Sequence, residues 1–297
     1  MSLQDQQLGP GNVIKATARP KAFALAAAMV GAAAGALAIV LLAGGGASAL
    51  GKSLTVVLPP ATTDKIYASP IARGRPIVVL DPGHGGRDPG ARGVASAAAE
   101  KDLTLALARE LRDRLVERGR VRVAMTRDSD RSIGLDDRSA VARRLNAAMF
   151  VSLHMDSAAN PLARGASVYS LSDIASDAEA AAFATSLNST SRAASGEGSV
   201  EALLSDLVMR AQMSASANLA MRMVGRSSGG VALRPDPHRF AAFHVLRRAG
   251  APAVLFEAGY LSNIDDEALL RSPKYRSALV RALADAIEAD VAVRSTR

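Results

Sequence analysis

Three short apolar runs constrain this chain most: Pro76-Ile-Val-Val-Leu80, Met149-Phe-Val-Ser-Leu153 and Ala253-Val-Leu-Phe256. Each is strand length and shows no regular alternation with polar residues, as expected of strands covered on both faces. Helical periods separate them. From Glu100 to Arg118, Leu103, Leu107, Leu111 and Leu115 recur every four residues, which makes one buried helix face. Leu135 to Ala147 and Tyr275 to Val293 read as further helices, and Val121 to Met125 and Ala166 to Leu171 as further strands. Strands alternating with helices predict an α/β domain around a mostly parallel sheet.

Residues 172–226 break that rhythm. Helices are expected over Asp177 to Leu187 and over Ser199 to about Gly225, separated by the Ser/Gly-rich stretch Ser189 to Gly198. That stretch has little to bury, and the whole segment reads as an insertion outside the sheet.

The front of the chain is different again. Lys15, Arg19 and Lys21 precede an uncharged run from Ala22 to Ala43, which ends in Ala47-Ser48-Ala49. This is the pattern of a secretory signal peptide over residues 1–49, although the run is long enough to serve as an uncleaved membrane anchor. Both readings export the remainder, and contact with a membrane is expected only if the leader is retained. Residues 50–75, with Pro59-Pro60 and no clear period, read as a linker, and 76–294 as the domain. The leader carries a net +2, so +6 of the formal +8 belongs to Leu50 to Arg297. A basic exported domain is drawn to anionic surfaces such as wall polymers. No basic run is interleaved with aromatics, so no nucleic-acid partner is expected. The chain has no cysteine, so any metal site must use histidine and carboxylate.

Two of the four histidines, His84 and His154, and also Glu257, sit at the ends of predicted strands. In a parallel sheet those ends share one edge, where α/β proteins place their ligands. Glu100 opens a helix entering from the same edge. Two imidazoles and one carboxylate, His84, His154 and Glu100, suit Zn2+ with a fourth position left open. Such a site acidifies water and polarises a carbonyl. Glu257 would then act as the base and pass a proton to a leaving nitrogen. Its apolar setting, Leu255-Phe-Glu-Ala-Gly259, predicts a raised pKa.

Plainer readings compete. A single histidine at a strand end is more often structural than a ligand, and His238, expected in a loop, and His244, on a helix, keep that reading. Glu100 alone would suit a helix N-terminus by dipole. The glycines from Gly83 to Gly93 alone would mean a turn-rich loop. Asp136, Asp137, Arg138, Arg143 and Arg144 read as a solvated helix face. Convergence of the four chemical residues is what favours a metal site.

These segments together resemble the zinc-dependent N-acetylmuramoyl-L-alanine amidases of bacterial cell separation. Ile77 to Gly86 with Asp88-Pro-Gly-Ala91 is similar to that family's opening motif, and Glu100-Lys-Asp-Leu103 to its second. Thr126-Arg-Asp128, Leu135-Asp-Asp-Arg138 and Phe150-Val-Ser-Leu-His154 resemble its middle, and Val254 to Asn263 its closing motif. The resemblance spans nearly all of 76–291. It implies a twisted, mostly parallel sheet flanked by helices, with a helical insertion near the active site. It implies zinc held by His84, Glu100 and His154, with Glu257 catalytic. The substrate implied is peptidoglycan, cut at the amide between the lactyl group of N-acetylmuramic acid and L-alanine, in the periplasm. It further implies that the insertion, about 172–226, plugs the site until an activator protein with an inactive peptidase-like domain displaces it. In such relatives a glutamate before an asparagine on that helix occupies the zinc. The aligned pair here is Leu187-Asn188, with Glu179, Glu197 and Glu201 as the segment's own glutamates. An exported zinc hydrolase of another amide and a non-catalytic wall-binding protein are the competing functions. No tryptophan is available to stack on a sugar, so the substrate follows from the resemblance alone.

Overall fold

The computed structural model describes residues 64–189 and 200–295, with backbone alone for 200–203. The leader of residues 1–49, and residues 50–63 of the expected linker, lie outside the described residues. Among the described residues, seven strands form one sheet in the order β1-β3-β2-β4-β7-β5-β6. They are β1 (Ile66–Tyr67), β2 (Ile77–Pro82), β3 (Arg122–Met125), β4 (Met149–Asp156), β5 (Ala166–Leu171), β6 (Leu233–Ala241) and β7 (Ala253–Tyr260). Neighbours are parallel except β1 against β3 and β5 against β7, so the sheet is mostly parallel as expected. β2, β4 and β7 are buried along their whole length, which is why their sequences show no polar alternation.

Helices cover both faces. On one lie α1 (Glu100–Arg118), the second half of α4 (Val200–Ser227) and α7 (Pro273–Ser295), and on the other α2 (Leu135–Arg144), α3 (Ala178–Asn188) and α5 (His244–Arg247). α6 (Ile264–Arg271) follows β7. Leu107, Leu111 and Leu115 of α1 are completely buried, each worth about 1.5–3 kcal/mol of apolar transfer. The expected insertion divides in two. Leu219, Ala220 and Met223 of α4 are also completely buried and join the main core, so this half is part of the domain's frame. Only α3 lies at the site described below. No helix of the described residues is long and apolar enough to cross a membrane.

Two strands depart from the sequence reading. Ile66–Tyr67 forms a two-residue edge strand inside the expected linker. His238 lies in β6, not in a loop. Pro235 and Pro237 argue against a strand, but β6 is an edge strand, where a missing N–H is tolerated. A register shift also bulges residues 234–237 out of the ladder, since Ala166 pairs Leu233 while Val168 pairs His238.

Candidate metal centre

The ends of β2, β4 and β7 meet on the face covered by α2, α3 and α5. Pro82 is opposite Leu153, and His154 is directly opposite Glu257. Residues in register on adjacent strands share a face, so His154 and Glu257 stand side by side. His84 follows β2 in a left-handed backbone conformation, φ 59°, uncommon for a residue with a Cβ. Glu100 is the first residue of α1. Its carboxylate joins the two histidines: Oε2 lies 3.0 Å from His84 Nε2 and Oε1 lies 3.0 Å from His154 Nδ1. One donor atom from each of the three residues falls within 4.8 Å of the others, the one such cluster among the described residues.

The surroundings hold each member in place. Asp88 Oδ2 is 2.7 Å from His84 Nδ1, which leaves Nε2 facing Glu100. A carboxylate behind an imidazole is the usual support of a metal-ligating histidine. Backbone N–H groups of Ala91 and Met155 donate to the Glu100 carboxylate at 2.9 and 3.0 Å. Burial alone would raise its pKa, but hydrogen bonds to His154 and His84 and their charges hold it well below the ordinary carboxylate value. Close approach requires glycine at two positions. A Cβ at Gly83 would lie 2.3 Å from the His154 ring, and one at Gly90, φ 66°, would lie 2.5 Å from Glu100 Oε2.

Behind this cluster lies a buried polar frame. Arg127 donates to the carbonyls of Pro82 at 3.0 Å and of Gly83 and Lys101 at 2.8 Å each. Arg138 donates to Asp81 Oδ1 at 2.8 Å, to Pro82 O at 2.8 Å and to His84 O at 2.6 Å. Thr126 and Ser152 hydroxyls complete the Asp81 carboxylate at 2.6 and 2.8 Å. The expected solvated face of α2 is therefore wrong for Arg138, which is buried. Its partner Asp81 lies across on β2, beyond the reach of helix periodicity. Arg127 belongs to the Thr126-Arg-Asp128 segment, which by itself gives it no role. Its position two residues past a strand ending in Val-Ala-Met, before a turn, is the signal that marks it.

Glu257 is completely buried, and neither carboxylate oxygen has a hydrogen-bond partner. Burial first, then the charges of Asp156 and Glu100, pushes its pKa well above the ordinary value, as its apolar neighbours led us to expect. Burial likewise pushes Asp156 up to about 6, despite a hydrogen bond from Ser157 N–H. A cavity of about 560 Å³ opens over His84, His154, Asp88 and Arg138, with Ser186 to Ser189 at the end of α3 forming part of its wall. Glu257 does not line it. His238 is 2.9 Å from Ser170 Oγ and His244 begins α5, so neither joins the cluster. Leu187 lines the cavity. Glu179 is held by Arg234 and Arg239 instead of facing the histidines. Glu197 and the Glu201 side chain lie outside the described residues.

A buried carboxylate held between two imidazoles, with an orphaned glutamate alongside and no thiolate, fits zinc as a donor set. Residues 78–289 match a family described as N-acetylmuramoyl-L-alanine amidase. N-acetylmuramoyl-L-alanine amidase AmiC of Neisseria meningitidis is 35% identical over 222 residues, covering 72% of this chain and 52% of that protein. AmiA of Escherichia coli is 31% identical over 220 residues, covering 72% and 75%. Among solved structures, the catalytic domain of CwlV, an N-acetylmuramoyl-L-alanine amidase from Bacillus (Paenibacillus) polymyxa var. colistinus, superposes with a TM-score of 0.51. It is 29% identical, covering 71% of this chain and 96% of that one. The chain spans about half the length of AmiC of Neisseria meningitidis and of the probable AmiB of Haemophilus influenzae.

Proposed function

The chain belongs to the N-acetylmuramoyl-L-alanine amidase family, and on that premise we propose that it is an exported zinc hydrolase of peptidoglycan. The bond it cuts is the amide between the lactyl group of N-acetylmuramic acid and L-alanine, in the periplasm, during wall remodelling and daughter-cell separation. One observation carries the reading: His84, Glu100 and His154 converge beside a glutamate whose two buried oxygens have no partner. An inert wall-binding role does not account for that orphaned carboxylate, whose burial is costly without a function.

His84, Glu100 and His154 would hold the zinc. Bound there, it supplies Lewis acidity, which polarises a carbonyl and lowers the pKa of water. Glu257 takes the proton of the attacking water on a carboxylate oxygen as the new C–O bond forms. It then hands that proton to the amide nitrogen as the C–N bond breaks. The products are a lactyl carboxylate and a free alanyl amine. Asp88 keeps the His84 ring oriented throughout, and the Ala91 and Met155 amides fix Glu100.

The arrangement supports a restrained resting state. Glu257 is sealed while the end of α3 walls the cavity over the histidines. α3 is the element that must give way, and an activator protein with an inactive peptidase-like domain is the partner we assign to that release. With Leu187 at the cavity, we assign the restraint of α3 to packing and to the ion pairs of Asp177 and Glu179. Glu257→Gln tests the assignment: it is expected to bind one equivalent of zinc and to release no peptide from sacculi. Loss of zinc from that variant would make Glu257 a ligand and overturn its role as base.

A further inference from the structure

Two arginines of β6 are spent on carboxylates that come from outside the sheet. Arg234 reaches Glu179 with both terminal nitrogens at 3.2 Å. Arg239 Nη1 lies 3.2 Å from the same carboxylate, and its other terminal nitrogen contacts Asp177. In a regular strand, residues five apart face opposite ways. The bulge at Pro235-Asp236-Pro237 turns Arg234 and Arg239 onto one target. Both acids belong to the start of α3, and Asp177 is also its N-cap, accepting from Ala180 N.

The pair sits close to the reaction centre. Arg239 is in register with Tyr169, which is in register with Leu255, two residues before Glu257. Two strand spacings and two residues of rise put Arg239 on the order of 12 Å from Glu257, the reach of about four extended residues. Tyr260 links the two regions: Arg234 donates to its hydroxyl at 2.5 Å, and that hydroxyl donates to Glu179 Oε1 at 3.2 Å. The Arg239 side chain is only 5% exposed, while Asp177 and Glu179 are 46% and 48% exposed. A buried guanidinium needs an anionic partner, and these partners leave with α3.

We propose that Arg234 and Arg239 form a binding subsite for a carboxylate in the peptide part of the substrate, and that Asp177 and Glu179 fill it as an internal mimic. The inference rests on the amidase reading above. A peptide that reaches Glu257 displaces α3, takes both arginines from their carboxylate partners and supplies the replacement anion. The same pair thus restrains the helix and selects the substrate.

The test compares a synthetic N-acetylmuramoyl peptide carrying a carboxylate three or four residues from the scissile amide with its carboxamide counterpart. The zinc-loaded full chain is expected to favour the carboxylate roughly tenfold in kcat/KM, the worth of a charge-assisted hydrogen bond. Asp177→Asn with Glu179→Gln keeps the helix cap, frees α3 and should speed both substrates without changing that ratio. Arg234→Ala and Arg239→Gln should each collapse the ratio toward one, and Arg234→Ala serves if the more buried change does not fold. An unchanged ratio in a folded arginine variant overturns the subsite. Absence of cleavage by every protein overturns the amidase reading instead. In that event, calorimetric titration of the two peptides into the Glu257→Gln variant decides the subsite: equal affinities overturn it.

Discussion

Replacing Arg138 by alanine is expected to destabilise the fold by about 3–5 kcal/mol, the cost of leaving one partner of a buried ion pair behind. Arg138 and Asp81 side chains are 6% and 1% exposed, so solvent does not screen them as it would a surface pair. The substitution leaves the Asp81 carboxylate with two hydroxyls, and removes donors from the carbonyls of Pro82, Ile133 and His84. Against a total stability of about 5–15 kcal/mol, the urea midpoint reads such a loss directly. Removing both charges, with Asp81→Ala and Arg138→Ala together, should cost less than the two single losses summed, by about 2 kcal/mol.

The coupling also has a predicted pH dependence. Burial alone would raise the Asp81 pKa above 3.8, but the Arg138 charge and the hydrogen bonds from Thr126, Arg138 and Ser152 hold it lower. A depressed carboxylate pKa stabilises the fold above its unfolded value, and that stabilisation is lost as the pH falls through the folded value. The coupling is therefore complete at neutral pH and shrinks below about pH 4. A shift of less than about 1 kcal/mol for Arg138→Ala, or single losses that simply add, would refute the reasoning.

Gly83→Ala should fold but bind zinc about 10–100-fold more weakly, because its Cβ drives into the His154 ring; chelator competition measures this, and unchanged affinity would contradict the geometry. Asn188→Ala removes the amide that bonds Ala242 O at 2.7 Å and His244 N at 2.9 Å. It should loosen the end of α3 and raise basal dye release from labelled sacculi, and no change would show that this anchor does not restrain α3. Treatment with a zinc chelator should abolish turnover and added zinc should restore it; activity that survives complete metal removal would remove zinc from the account.

What could be read from the sequence depended on how locally each feature is specified. β2, β4, β7 and α1 were legible because burial on both faces, or on one helix stripe, writes itself into consecutive residues. Glu100 and the two histidines were legible because each sits where such an element begins or ends. β6 was not, since Pro235 and Pro237 are acceptable only on a bulged edge strand, and being an edge is a property of the sheet. Arg138 was hidden for the same reason. A charged residue among other charges on a helix reads as solvated until its partner Asp81 appears beside it from another element. α4 was recognised as a helix, but the role of its second half in the core depends on α7, which lies far along the chain.

Mass spectrometry of purified peptidoglycan after digestion by the zinc-loaded chain tests the central claim most directly. The account predicts free stem peptides that begin with an L-alanine amine, together with intact glycan strands whose muramic acids carry free lactyl carboxylates. Muropeptides that remain intact at that amide, with an active preparation in hand, would contradict it.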